Sequence, residues 1–129
     1  MYKYQYYNAN PLGNRVDDCT VRAISLATGR SWDSTYDRLS EYAQTQAIMP
    51  NDVEYIDEFL SLNYPKVYSS RDSHRVTVAE FLSHYPRGTY LITMNGHITC
   101  AIDGCVYDTF DPGDRIVWDA YKIEKDLLR

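Results

Sequence analysis

The chain has 129 residues and a formal net charge of −5 at pH 7, so we expect a single domain over residues 1–129 that buries a core of its own. Its Lys and Arg residues are scattered singly, whereas binding to nucleic acid or to an anionic membrane needs clustered cations. No apolar run approaches the roughly 20 residues of a membrane span, and the N-terminus lacks the apolar stretch of a signal peptide.

Cysteine and histidine usage argues against disulfides and metals. Three cysteines make an odd set, and a secreted disulfide scaffold normally uses an even one, so we expect a reducing, cytoplasmic compartment. The three Cys and three His show no zinc-ligand spacing, and we expect neither a metal nor another cofactor. Cys100 and Cys105 are predicted core residues on the sheet face opposite His97, too poorly aligned for an unstrained disulfide.

The N-terminal part of the chain predicts an extended segment followed by a buried helix. Loose alternation over residues 1–8 is typical of a strand or an extended arm. The run from Cys19 to Thr28 is apolar on most sides, as in a helix that is buried all round. Asp17 or Asp18 is its expected N-cap, and Gly29 is expected to end it.

Three more helices follow, each marked by a capping residue and an apolar stripe. Ser31 can cap the first. Asn51 with Glu54 predicts a capping box at the start of the second, and Thr77 with Glu80 predicts another at the start of the third. The expected inward residues are Trp32, Tyr36, Leu39 and Ala43 in the first helix, Val53, Ile56, Phe59 and Leu60 in the second, and Val78, Phe81, Leu82 and Tyr85 in the third.

The last third of the chain predicts an antiparallel meander. Asn-Gly at residues 95–96 and Asp-Gly at residues 103–104 are the strongest two-residue hairpin turns. The predicted strands cover residues 89–94, 97–102, 105–110 and 115–123. Helices that precede a meander make the fold class α+β.

The turn at residues 103–104 also determines the register of the meander. It places Thr99 opposite Asp108, and because side chains alternate between faces, His97 lies on the same face as both. Asp108 is then diagonal to His97 at roughly 7–8 Å between backbones, a gap that an imidazole and a carboxylate can close.

Cys19, His97 and Asp108 together predict a catalytic triad. The thiolate is the nucleophilic form of cysteine, and a helix N-terminus and a protonated imidazole both stabilise it. His97 could then return a proton to the leaving group, while Asp108 would hold the imidazole in the required tautomer and orientation. Each residue taken singly also fits a structural role, and the set in this order favours catalysis.

Such a mechanism needs an oxyanion hole. The backbone N–H of Cys19 can supply one donor. The side-chain amide of Asn14, Asn10 or Asn8, all in the loop that precedes the helix, could supply a second.

The three segments resemble the papain-like cysteine peptidase superfamily. The similarity is greatest to small uncharacterised papain-like proteins of bacteria, phages and prophages, which carry Asp-Cys-x-x-Arg-Ala, Gly-His and Asp-Gly-x-x-Tyr-Asp-Thr segments. Here these are residues 18–23, 96–97 and 103–109. The resemblance implies a papain-like fold with a central N-terminal helix on the meander, and a cysteine peptidase or isopeptidase of a bacterial or phage-infected cell that acts on a protein or peptide.

Two other functions stay open. The chain could be a degenerate papain-like binding protein, such as a phage or host-interaction factor, and its 13 tyrosines suit an interface. It could also be a transglutaminase- or acyltransferase-like enzyme that uses the same triad.

Overall fold

The structure, a computed structural model, describes residues 1–71 and 74–124, which form four helices and six strands. The helices are α1 (Cys19–Thr28), α2 (Trp32–Gln46), α3 (Val53–Asn63) and α4 (Val78–His84). The strands are β1 (Lys3–Tyr6), β2 (Lys66–Ser69), β3 (Thr89–Met94), β4 (His97–Ile102), β5 (Cys105–Asp108) and β6 (Asp119–Ile123). The predicted α+β class is confirmed, while the expected domain end at residue 129 lies outside the described residues.

The strands form one sheet in the order β1-β5-β4-β3-β6-β2. β3, β4 and β5 are the predicted antiparallel meander, and Ile102 pairs with Cys105 as the two-residue turn requires. β1 pairs with β5 in parallel, so the N-terminal segment becomes an edge of the sheet. β4 begins and β5 ends at the same end of the meander, which brings His97 and Asp108 to that end together.

Helices cover both faces of the sheet. Leu91, Ile98 and Cys100 pack against α1 and its neighbours α2 and α3. Ile92 and Ala101, which point the other way, pack with α4. α1 runs along β3 and β4, as the all-round burial of its sequence indicates. Within the described ranges, no helix is long and apolar enough to cross a membrane.

The apolar stripe of α2 is buried only over its second half. Leu39 and Ala43 lie in the core as predicted, but Tyr36 is 45% exposed and Trp32 is only partly covered. The two rings stack on each other, with centroids 5.2 Å apart. The predicted burial is therefore wrong for Tyr36, because the buried stripe of α2 runs through Thr35, which is 1% exposed, and Tyr36 lies beside that stripe.

Helix α3 starts later than predicted. Its first residue is Val53, and the described structure lacks the expected capping box between Asn51 and Glu54. The reason is a turn in which the N–H of Asp52 donates to the carbonyl of Met49, so that Asp52 and not Asn51 takes the N-cap position. The other two caps, at Ser31 and at Thr77 with Glu80, form as predicted.

Strand boundaries differ from the prediction at three places. β5 ends at Asp108, not at residue 110, because the backbone N–H of Thr109 donates to the carboxylate of Asp108 and not to a neighbouring strand. β6 covers only the second half of residues 115–123, because Val117 pairs with Val76 ahead of α4. β2 is missing from the prediction, since its four residues are too few to show alternation.

Candidate active site

Cys19 is the first residue of α1 and is partly exposed. The first N–H groups of a helix have no acceptor within the helix. Asp18 is the N-cap residue, but among the described residues its side chain accepts no backbone N–H of α1. The backbone N–H of Cys19 is therefore left without an acceptor from the helix or its cap, and the thiol lies at the positive end of the helix dipole.

His97 and Asp108 form a buried, hydrogen-bonded pair at the end of the meander. Nε2 of His97 donates to Oδ2 of Asp108 at 2.7 Å, and the two residues are 6% and 2% exposed. Asp108 also accepts the hydroxyl of Thr99 at 2.6 Å and the backbone N–H of Thr109 at 2.7 Å. The ring of Phe110 lies against the imidazole, with centroids 4.6 Å apart. These contacts hold the imidazole in one orientation.

The thiol of Cys19 extends this pair to three groups. It lies close enough to the imidazole to raise the pKa of His97, and because Nε2 is bonded to Asp108, Nδ1 is the nitrogen left for the thiol. Burial lowers the pKa of His97, but the hydrogen bonds and negative charges of Asp108 and Cys19 outweigh it and raise the pKa to about 9.

The pKa of Asp108 moves in the opposite direction. Burial raises it, but the hydrogen bond and charge of His97, together with the hydrogen bonds from Thr99 and Thr109, hold it below its ordinary value. At neutral pH, Asp108 is thus ionised and His97 is protonated.

Arg22, one turn after Cys19, ties α1 to Asp108. Its Nε donates to Oδ1 of Asp18 at 2.7 Å and its Nη1 to Oδ1 of Asp108 at 3.2 Å. Both carboxylates are buried, so the guanidinium compensates charges that water cannot reach. The Asp18–Arg22 spacing of i,i+4 is a sequence signal for an ion pair, but Asp108 is 86 residues from Arg22 and has no local signal.

Asp18 is a buried structural acceptor. Besides Arg22, it accepts the side-chain amide of Asn10 at 3.1 Å and the indole N–H of Trp32 at 3.0 Å. Asp18 is the N-cap residue, as predicted, but these three donors hold its carboxylate and it makes no capping bond to the backbone of α1. The carboxylate next to the thiol is neutralised by its partners and does not face Cys19 as a free charge.

The three asparagines proposed for the oxyanion hole differ in what their amides do. Asn10 donates to Asp18, and Asn8 donates to the carbonyl of Asn14 at 3.1 Å. Both side chains therefore build the loop before α1. Asn14 is exposed, and no hydrogen bond of its side chain is found among the described residues. The Cys19 N–H is the donor that lies next to the thiol.

The other two cysteines, Cys100 and Cys105, are not part of this arrangement. No disulfide joins any of the three cysteines, which all lie in the described ranges. Cys100 is a core residue as predicted, whereas Cys105 is only partly buried, so its predicted place in the core is wrong. In the part of the chain that the structure describes, no group of three or more His, Cys, Asp and Glu side chains could hold a metal ion.

Comparison with known proteins finds no matching family model, no matching curated protein and no matching solved structure.

Proposed function

We propose that the chain is a cysteine-dependent amide hydrolase of papain-like fold that cleaves a peptide or isopeptide bond. Cys19 is the nucleophile, His97 the acid and base, and Asp108 the group that orients His97. The observation that carries the proposal is the hydrogen-bonded pair of His97 and Asp108, whose buried imidazole has a pKa raised to about 9 by Asp108 and by the partly exposed thiol at the N-terminus of α1. A helix that begins at the nucleophile and packs on an antiparallel meander supports the papain-like fold.

The reaction follows from the charges of the three groups. The Cys19 thiolate attacks the amide carbonyl, and the C=O electron pair moves to oxygen. As that pair returns, the C–N bond breaks and Nδ1 of His97 gives its proton to the leaving amine. Water then attacks the thioester, His97 takes its proton, and the carboxylic acid leaves with the thiolate restored. Asp108 holds the imidazole throughout and does not change its own protonation.

The developing oxyanion needs donors that are already in place. The backbone N–H of Cys19 has no acceptor from the helix or its cap and is directed along the axis of α1 towards the site. The exposed amide of Asn14 remains the candidate for the second donor.

The first experiment is the rate of Cys19 alkylation by iodoacetamide as a function of pH. A free thiol reacts with a midpoint near about pH 8.5. We expect a reactive plateau that extends below about pH 7 in the native protein and disappears in His97→Ala. Because Cys100 and Cys105 are cysteines outside any disulfide, Cys19→Ala measures their contribution to the alkylation rate. Ordinary pH dependence that is indifferent to His97 would exclude an activated thiol.

Hydrolysis itself is tested with a library of peptide amides. Cleavage must disappear in Cys19→Ala and fall by a factor of about 10⁴ in Asp108→Asn, which would favour the wrong imidazole tautomer. Circular dichroism of both variants checks that they fold. Activity that survives in folded Cys19→Ala would end the proposal.

The two alternative functions are a binding protein and an acyltransferase. The amides of Asn8 and Asn10 are committed to the loop, which favours a binding protein with a degenerate site if the thiol proves inert. An acyl-enzyme that reacts faster with an added amine than with water would instead identify a transferase. Product analysis by mass spectrometry separates hydrolysis from acyl transfer.

A reducing, cytoplasmic location is part of the same proposal. Its support is that no disulfide joins the three cysteines, which all lie in the described ranges, as is usual where glutathione keeps cysteines reduced.

A further inference from the structure

The turn between β3 and β4 consists of Asn95 and Gly96 and directly precedes His97. Both turn residues are exposed, and the space beside the α-carbon of Gly96 is open. Gly96 has a φ of 69°, in the region that favours glycine. The turn therefore places the carboxamide of Asn95 next to a backbone N–H that no side chain shields.

Both the carboxamide and the N–H of this pair lack a partner. Among the described residues, the side-chain amide of Asn95 makes no hydrogen bond, and the backbone N–H of Gly96 has no acceptor. The carboxamide can rotate towards the N–H, and neither group has to give up a hydrogen bond first. Asparagine is among the thermolabile residues of proteins, and nothing in the described structure protects this one.

The other exposed asparagines differ from Asn95 in one of these features. The backbone N–H that follows Asn51 and the one that follows Asn63 both donate to carbonyls of the chain. Asn14 is followed by Arg15, whose side chain hinders the closure of a ring at its N–H, whereas glycine has no side chain. Asn95 is therefore the exposed asparagine best placed to react with the residue after it.

Arg115 acts on the same peptide group. Its Nη2 donates to the backbone carbonyl of Asn95 at 2.9 Å, and this carbonyl is joined by the peptide bond to the nitrogen of Gly96. When that nitrogen loses its proton, the negative charge is shared with the carbonyl oxygen, because the peptide group is conjugated. A guanidinium that binds the oxygen stabilises the anion and so increases the fraction of nucleophilic nitrogen.

We propose that Asn95 is a site of spontaneous deamidation that Arg115 accelerates. Hydroxide removes the proton from the N–H of Gly96, and the nitrogen attacks the side-chain carbonyl carbon of Asn95. A new C–N bond closes a succinimide ring, while the C–N bond of the side-chain amide breaks and ammonia leaves with a proton from water. Water then opens the ring at either carbonyl and leaves an aspartate or an isoaspartyl linkage at this position.

The isoaspartyl product changes the turn that positions His97. It lengthens the main chain by one carbon, and Met94 pairs with His97 directly across this turn. The added carbon displaces the start of β4, which holds Nε2 of the imidazole at 2.7 Å from Oδ2 of Asp108. The modification itself is independent of the proposed hydrolase, whereas its effect on the reactivity of Cys19 rests on that function.

Incubation of the full chain at mildly alkaline pH, followed by peptide mapping with mass spectrometry, tests the modification. We expect the mass increase that accompanies replacement of an amide by a carboxyl group in the peptide that contains Asn95. The peptides that contain Asn14 and Asn51 should keep their mass, as should the Asn95→Gln variant, whose cyclisation needs a larger ring. An unchanged mass at Asn95, or equal rates at Asn14 and Asn95, would overturn the proposal.

The role of the guanidinium is tested by the rate of the same reaction. Arg115→Gln should slow deamidation by about threefold or more, because an uncharged donor stabilises the peptide anion less well. Arg87→Gln, at another exposed arginine, is the matched control and should keep the wild-type rate. A rate in Arg115→Gln that equals or exceeds that of wild type would show that Arg115 does not accelerate the reaction.

Alkylation of Cys19 before and after incubation separates the modification from the hydrolase. Incubated wild type should alkylate more slowly at neutral pH, whereas Asn95→Gln should keep its starting rate. Asn95→Asp introduces the carboxylate without the added carbon and should alkylate faster than the isoaspartyl form. If the thiol is inert before incubation, the hydrolase fails and the mass increase still decides the modification. An activated thiol that is unaffected by complete deamidation would refute the effect on the site.

Discussion

At the scale of single residues, the protonation of His97 is the property on which the proposed chemistry depends. Its pKa of about 9 lies above the ordinary value of 6.5, since Asp108 and Cys19 outweigh burial. An NMR titration should therefore show an imidazole signal that changes near pH 9, and comparison with His97→Gln assigns it. A signal assigned to His97 that titrates near pH 6.5 would contradict the proposed interaction with the thiol.

The same titration has a consequence for stability. Because the folded pKa of His97 is the higher one, the folded protein holds this proton more tightly than the unfolded chain. The resulting stabilisation is fully present below about pH 6.5 and is lost as the pH rises through about 9. Urea unfolding should show the difference between wild type and His97→Gln shrinking by about 1–3 kcal/mol over this window. A difference that does not vary with pH would argue against it.

At the scale of helices and strands, α1 and α4 begin in opposite ways. α4 has a complete capping box, in which Thr77 accepts the N–H of Glu80 at 3.1 Å and Glu80 accepts the N–H of Thr77 at 2.8 Å. α1 has Asp18 at its N-cap, but this carboxylate binds Arg22 and other side chains. The backbone N–H groups at the start of α1, next to Cys19, therefore lack the acceptor that a capping side chain would provide.

The capping box of α4 gives a stability prediction that is independent of the site. Thr77→Ala should lower the free energy of unfolding by about 1 kcal/mol, because the backbone N–H of Glu80 loses the hydroxyl that accepts it. Thr77→Ser keeps the hydroxyl and serves as the matched control. Urea unfolding measures both, and the alkylation rate of Cys19 should stay at its wild-type value. An unchanged stability in Thr77→Ala would show that the box contributes nothing.

At the scale of the whole molecule, Arg22 joins two parts of the chain that are distant in sequence. It connects α1 to Asp108 at the end of β5 and so aligns the helix that carries Cys19 with the sheet that carries His97. Arg22→Gln should lower the free energy of unfolding by about 3–5 kcal/mol, because two buried carboxylates lose their counter-charge.

Arg22→Lys separates positioning from charge. Lysine keeps the charge but cannot bind both carboxylates through a planar fork, so this variant should be more stable than Arg22→Gln and still alkylate more slowly than wild type at neutral pH. Arg87→Gln, at an exposed position, is the control. Wild-type alkylation in Arg22→Lys would show that Arg22 serves stability alone.

Much of the fold could be predicted from local patterns. α1 spans the predicted residues Cys19–Thr28, and β3 and β4 have their predicted bounds because the Asn95-Gly96 turn fixes both. No local sequence pattern predicts the short strand β2 or the parallel pairing of β1. Their hydrogen-bond partners lie in β6 and β5, far along the chain.

The candidate site, too, could be predicted from the sequence only in part. The proximity of His97 and Asp108 could be worked out from a two-residue turn, because register and alternation leave one arrangement. The environment of Asp18 could not, since an aspartate before a helix fits a cap equally well. Its actual partners include Trp32 from α2, which only packing brings near.

The sequence by itself determined the elements, the register of the meander and the order Cys19, His97, Asp108, because helix periods and hairpin turns are local properties of the chain. Only the tertiary structure decided that α1 meets the end of the sheet where β4 begins, that Arg22 bridges two buried carboxylates, and that Thr35 and not Tyr36 lies in the buried stripe of α2. These are contacts between segments far apart in sequence, and they depend on how the helices pack on the sheet.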